Sequence, residues 1–433
     1  MVRKQCFLNV RAMVLLSLFL TVALGSRRAG AQTYTVLHAF AAGTDGAAPS
    51  PIIRDAEGNL YGTTNFGGVP SCGEDTCGTV YKIDSAGNET VLYSFQGGNN
   101  GSDPKAALVR DAAGNLYGTT QGNGFIPGAS VVFKVEPNGQ ETSFDTDGLT
   151  VCCLDSPLAV DAQGNMYGMS PYAGEPTCDY VENDLGCGTL FKVTPSGKFT
   201  VLHTFKGRDG IQPEGGLVFD GKGNLYGVAA HGGKLTCKYP GWGQPFGAGC
   251  GTIYKLDRHG KFTVLHTFTG PGDGSYPLGL IIDAAGNLYG IAESGGDVIK
   301  KSNYEYGLGT VFKVDTRGNF SVLFTFTPET TLNYVYASHL VRDSKGNLYG
   351  LQQYNNCKGG GCLFRIGPHG KYTDLYDFQG EGEGSEGFQP IGVVLGSNDD
   401  VYGSMLLGGP PETECQDFAF TNGCGTVFHL TVH

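Results

Sequence analysis

Leu280-Ile281-Ile282-Asp283-Ala284-Ala285-Gly286-Asn287-Leu288-Tyr289-Gly290 is the stretch whose reading decides the fold. Leu280 to Ile282 is a continuous apolar run, as expected of a strand buried on both faces. Asp283-x-x-Gly286-Asn287 reads as a tight turn, in which Asp accepts backbone N–H bonds and Gly takes a positive φ. Asn287-Leu288-Tyr289-Gly290 then opens a second strand, its Gly allowing a neighbour to approach closely. The Gly-Asn-Leu-Tyr-Gly core recurs at Gly58 to Gly62, Gly114 to Gly118, Gly164 to Gly168, Gly223 to Gly227 and Gly346 to Gly350, with a worn copy at Asn398 to Gly403.

Two further segments keep the same period. Gly78-Thr-Val-Tyr-Lys-Ile-Asp84 returns at Ser130 to Glu136, Gly188 to Thr194, Gly251 to Asp257, Gly309 to Asp315, Gly361 to Gly367 and Gly425 to Thr431. Its alternation of apolar and polar residues marks a third strand. Thr-Val-Leu-x-x-Phe or a variant stands at 35–40, 90–95, 200–205, 263–268, 321–326 and 373–378, with Glu141 to Asp147 as a degraded copy; this is a fourth strand. Four antiparallel strands every ~57 residues, seven times, define an all-β, seven-bladed β-propeller. The chain order predicts how the ring closes. A fourth-type strand comes first (Thr35 to Phe40), and the last repeat ends at its third strand. The N-terminal strand should therefore complete the last blade and remove an exposed edge, whereas an open solenoid would call for caps at both ends.

Composition agrees. The 433 residues include 71 Gly, 22 Tyr and 25 Phe, and only 16% are charged, against a usual ~25%. Such a chain excludes a coiled coil, a helical bundle and a disordered polymer. Residues 1–31 read as a signal peptide: Arg3, Lys4 and Arg11 precede the apolar run Ala12 to Gly25, and Ala29-Gly30-Ala31 supplies a small-x-small cleavage site. The run is short for a bilayer span. Residues 32–433 are then a single propeller domain, secreted, periplasmic or on the cell surface, with no membrane insertion after cleavage. Loss of the leader's five basic residues takes the formal charge from −12 to −17. A surface of that sign repels nucleic acid and anionic lipid.

Without Cys6, twelve cysteines remain. Ten fall into five local pairs, Cys72/Cys77, Cys178/Cys187, Cys237/Cys250, Cys357/Cys362 and Cys415/Cys424; the other two are the adjacent Cys152 and Cys153. In an exported chain these read as disulfides. The x4 spacings of Cys72/Cys77 and Cys357/Cys362 loosely suit zinc, but each pair sits in a different repeat, so four ligands do not easily converge.

Taken together, Gly-Thr-Val-Phe-Lys-Val-Asp, Thr-Val-Leu-His-Thr-Phe, the Asp-Gly-x-x-Pro loop and Asp-x-x-Gly-Asn-Leu-Tyr-Gly resemble the GloVer tandem-repeat proteins, exported bacterial proteins with a choice of C-terminal anchors. The resemblance covers Thr33 to His433 and implies a secreted or surface repeat protein. It carries no site residues over to this chain, and no anchoring tail is recognisable here. The Asp-x-x-Gly-Asn piece by itself is shared with other propellers, the gluconolactonase-like ones among them.

Tight turns occupy one face of such a ring, and the long connections emerge on the other, together with all five local cysteine pairs. Function is expected on that variable face, where disulfides reduce loop entropy. Tyr239, Trp242 and Phe246 within the Cys237–Cys250 loop, with Tyr304 and Tyr306 in the next blade, are the candidate ligand-binding aromatics; packing of the loops on their own rings is the competing account. Asp45, Asp103, Asp209 and Asp273 recur before the first strand and could hold Ca²⁺, yet Asx-turns explain them without a metal. His38, His203 and His266 share one place in the outer strand of different blades, too far apart to converge. No Gly-x-Ser-x-Gly elbow, His-Glu-x-x-His pair or phosphate loop is present. The expected function is binding of an extracellular glycan or peptide by a monomeric scaffold that needs no cofactor. The alternatives are a carbohydrate-active or lactone-hydrolysing enzyme with carboxylates at the channel, and a passive envelope component.

Overall fold

The computed structural model describes residues 32–69, 77–121, 130–144, 146, 154–174, 178, 186–237, 249–301, 304–328, 330, 340–353, 359–379, 387–397, 400–409 and 423–432. The segment read as a signal peptide lies outside them. Seven antiparallel sheets of the expected strand order form a β-propeller. Blade five runs Ser275–Ile282, Leu288–Ser294, Thr310–Val314 and Phe320–Thr325 from the axis outward. Blade seven joins Phe388–Leu395, Val401–Leu407 and Thr426–Thr431 to the N-terminal strand Thr33–Ala39. Thr33 faces Thr431 and Ala39 faces Thr426 in that antiparallel pairing, so the ring closes as the strand order predicts.

The motif residues explain the blade. A Cβ on Gly290 would collide with the ring of Phe312 on the third strand, so Leu-Tyr-Gly and Gly-Thr-Val-Phe are two halves of one contact. Phe312 is fully buried with Phe268, Leu280 and Leu288, and such clusters join each blade to the next. Burying each Phe contributes about 1.5–3 kcal/mol. In the turns, Asp55 accepts from the Asn59 backbone N–H at 2.8 Å, Asn59 Nδ2 at 2.9 Å and Tyr61 Oη at 3.0 Å. Asp111, Asp161, Asp220, Asp283 and Asp343 repeat this arrangement.

Two features depart from the repeat. Blade five carries an extra hairpin, Val298–Lys301 paired with Tyr304–Gly307, in its connection between strands two and three. Inner strands are short where the entry segment is irregular: Val109–Arg110, Ala159–Val160 and Leu340–Arg342.

Candidate functional site

The entry to the inner strand of five blades is built around a proline preceded by a residue of left-handed backbone: Ala48, Asp103, Gln212, Tyr276 and Gln389, with φ of 55°, 58°, 54°, 59° and 59°. That conformation is uncommon outside glycine and costs on the order of 1–3 kcal/mol. Hydrogen bonds offset it. The N–H groups of Ala48, Asp103, Gln212 and Tyr276 donate to the carbonyls of Cys424, Cys77, Cys187 and Cys250 in the preceding blade, at 2.7, 3.1, 2.9 and 3.1 Å. The following proline seats on the glycine that opens the preceding blade's third strand, as Pro277 does on Gly251. Backbone geometry is thus shared by these five entries at the mouth of the channel, while the side chain presented there changes from blade to blade.

Each acceptor carbonyl belongs to a bridged cysteine. Cys178–Cys187 and Cys237–Cys250 are disulfides, and Cys77, Cys362 and Cys424 are disulfide-bonded as well. Cys72, Cys357 and Cys415, the partners expected from the sequence, lie outside the described residues, as do Cys152 and Cys153. The bridged loops therefore hold the channel entrance directly through the backbone, and a zinc role for these thiols is removed.

At this entrance four successive blades bring ionisable groups together. Lys105 of blade two pairs with Asp103 at 2.7 Å and hydrogen-bonds Gln121. Asp155 of blade three senses Lys105 and faces Glu214 of blade four; Glu214 in turn faces Glu293 of blade five. Tyr276 donates to Glu214, and the His231 ring meets the Tyr276 ring edge-on at 5.0 Å. Glu214 is half-buried with its Oε1 fully enclosed and unpartnered, whereas Glu293 is 4% exposed. Burial, then the facing Asp155, pushes the Glu214 carboxyl up to about 8. Burial, then Glu214, does the same to Glu293, also to about 8. Asp155 keeps solvent contact, and desolvation of its carboxyl raises its pKa. His231 is lowered to about 4 by burial, so it is neutral near pH 7. Two protonated, hydrogen-bond-capable carboxyls thus stand beside a phenol and a neutral imidazole.

The residues singled out from sequence fare differently. Tyr239, Trp242 and Phe246 lie outside the described residues. Tyr304 and Tyr306 fall on the second strand of the inserted hairpin, opposite Lys301 and Ile299. Asp45, Asp209 and Asp273 are engaged by the outer-strand histidines of the same connection: His38 at 3.4 Å, His203 at 2.9 Å and His266 at 3.2 Å. Asp209 also accepts from the Lys206 N–H, and Asp273 from Thr269. These are loop-closing contacts that use up the carboxylates. Among the described residues no three His, Cys, Asp or Glu side chains converge as a metal set. Each histidine belongs to a seam between blades, with His203 stacked on Phe262 and His266 on Phe320, ring centres 3.7 Å apart.

Sequence reasoning missed Glu214, Glu293 and Asp155. A signal existed: Glu293 stands near the end of a strand where the aligned copies have Asn65, Ala230 and Leu406, an acid set among buried residues. On the opposite, turn-bearing face a groove of about 600 Å³ between blades three and four is lined by Tyr167, Lys192, Asp220 and Arg258. Asp220 there is committed to its turn, so that groove is scaffold.

The Gloeobacter/Verrucomicrobia repeat matches residues 26–240, and no curated protein matches. The structure is similar to the extracellular domain of a protein named as a hybrid two-component system of B. thetaiotaomicron, at 11% identity and TM-score 0.52, over 92% of this chain and 41% of that one. The chain thus spans less than half of that neighbour's length. It is also similar to a gluconolactonase from Xanthomonas campestris (16% identity, TM-score 0.40, 80% of this chain and 92% of that one). A luciferin-regenerating enzyme is a third neighbour (15%, 0.44, 75% and 90%). At such identities the likeness concerns the fold alone.

Proposed function

This chain carries the Gloeobacter/Verrucomicrobia repeat, and from that premise we propose that it is an exported propeller which binds an extracellular glycan or peptide on its disulfide-stapled loop face. One observation carries the reading. At five blades the same left-handed residue stands at the channel mouth, tied at four of them to a bridged cysteine, while the side chains differ: Ala48, Asp103, Gln212, Tyr276 and Gln389. A rigid frame with variable display suits recognition, because order established on folding need not be supplied on binding. A glycan array and a pull-down with the purified protein test it. Binding that weakens when Gln212, Tyr276 or Gln389 is replaced by Ala supports the loop face. A retained ligand that ignores all three, and also replacement of Tyr239, Trp242 and Phe246, places binding elsewhere.

A specific observation favours a second reading. Glu214 and Glu293 hold protons at neutral pH, as a general acid for carbohydrate or lactone chemistry must. A turnover screen over polysaccharides and lactones separates the two: hydrolysis lost in Glu214→Gln makes the protein an enzyme, and inertness throughout leaves the binding scaffold.

A further inference from the structure

Building on the loop-face reading, we infer that Glu214 and Glu293 form a receptor for a primary ammonium group of the lysine type, entering between them from the channel mouth. The two carboxyls come from adjacent blades. Gly215 and Gly279 on the neighbouring inner strands leave no room for a Cβ between them, so the strands touch and Glu214 is drawn against blade five. Glu293 stands on that blade's second strand, at the level of Tyr276, between the paired residues Ser275↔Ser294 and Pro277↔Ala292.

Neither acid is fully satisfied as buried carboxyls normally are: Tyr276 is the donor that Glu214 has. Glu214 Oε1 is enclosed and accepts nothing. Glu293, 4% exposed, makes no hydrogen bond or ion pair among the described residues. The neighbouring cation does not serve them: Lys105 is held by Asp103 and Gln121 on blade two and reaches only the field of Asp155. His231 on blade four is neutral near pH 7, and Tyr276 supplies one donor. An ammonium group brings three N–H donors on a compact charge, which one carboxylate, the carbonyl oxygen of the facing protonated carboxyl and a phenol oxygen can accept, and the Tyr276 ring offers a face for the adjoining methylenes. A calcium ion would need six to eight oxygen ligands, more than this set provides. The acidic formal charge of the chain favours cation entry.

Binding has a proton signature. Near pH 7 both carboxyls carry protons, because burial and the acids facing them (Asp155 for Glu214, Glu214 for Glu293) hold ionisation back to about 8. Salt-bridge formation with the ammonium ion requires a carboxylate, so a proton leaves to solvent as the ligand enters. Lysine stays charged to about pH 10.4, so affinity rises with pH by up to about tenfold per unit below 8 for one proton released.

Calorimetric titration of the purified protein with capped Ala-Lys-Ala peptide tests this, at pH 6, 7 and 8 and in two buffers of different ionisation enthalpy. Expected are binding that strengthens with pH, a buffer-dependent heat reporting proton release, and at least about tenfold weaker binding of the same peptide acetylated on its lysine nitrogen. Glu214→Gln and Glu293→Gln should each weaken binding by a similar factor and flatten the pH slope, with cooperative thermal unfolding retained. Absence of peptide binding, equal binding of the acetylated peptide, indifference to both substitutions, or stoichiometric displacement of the peptide by Ca²⁺ overturns the inference. Array ligands that bind the loop face while the lysine peptide does not would remove the ammonium receptor and leave the broader reading standing.

Discussion

Carboxylates in this protein fall into two populations, distinguished by what each one accepts. In the turns, Asp55 loses stability by burial but receives more from the Asn59 side chain and backbone and from Tyr61, which together lower its pKa to about 2. Its contribution to stability is present above its ordinary 3.8 and is lost as pH falls through about 2. Glu214 has the reverse sign. With a folded pKa of about 8 and an unfolded one near 4.3, the folded state binds the extra proton, so stability is full below about 4.3 and falls as pH rises through 8. The melting temperature of the unliganded protein should therefore decline from pH 5 to pH 8, and Glu214→Gln should flatten that decline. A Glu214→Gln profile parallel to wild type would remove Glu214 as the titrating group. The turn Asp residues could be read from local spacing alone, because donor and acceptor lie four to six residues apart. Glu214 and Glu293 could not, because their pairing spans blades.

At the scale of elements, the bridged loop is the unit that links scaffold to site. Cys250 is bridged to Cys237, and its carbonyl accepts the Tyr276 N–H of the next blade at 3.1 Å. Opening the bridge thus releases a loop and loosens the left-handed residue beside Glu214 together. Closing a loop of that length is worth about 3 kcal/mol in the chain-entropy account. Replacing Cys237 and Cys250 by Ser should lower the unfolding free energy by about 2–3 kcal/mol and raise amide exchange at Tyr276 ahead of the distant turns. Equal exchange at all sites would mean that the bridge acts only on the unfolded chain. The cysteine pairs were legible as staples from spacing. Their coupling to the channel mouth was not, since it depends on which neighbouring backbone the loop leans against. The inserted hairpin of blade five also escaped the sequence reading, because Val298–Lys301 and Tyr304–Gly307 belong to no repeat.

At the scale of the molecule, the ring depends on its first strand. Thr33–Ala39 fills the edge of Thr426–Thr431, and Tyr34 stacks on Tyr376 of the blade before, ring centres 5.6 Å apart. Deleting residues 33–40 should expose an unpaired edge and open the seam at Phe40, which is fully buried. The expected outcome is loss of the cooperative melt together with concentration-dependent association in light scattering. A monomer that melts as the full chain does would show that the closure is dispensable.

Period and strand order were determined by the sequence itself, because each rests on contacts within a repeat, Gly290 against Phe312 and Asp283 against Asn287 and Tyr289, and closure followed from the order in which the strand types occur along the chain. Repetition states the glycine contact seven times and the turn contact six times, so each survives the loss of any one copy. Only the tertiary structure decided where charge converges. Lys105, Asp155, Glu214 and Glu293 lie scores of residues apart and occupy positions where the repeat is least regular. They become neighbours through radial closure, and their protonation is then governed by the low hydration and mutual repulsion that closure creates.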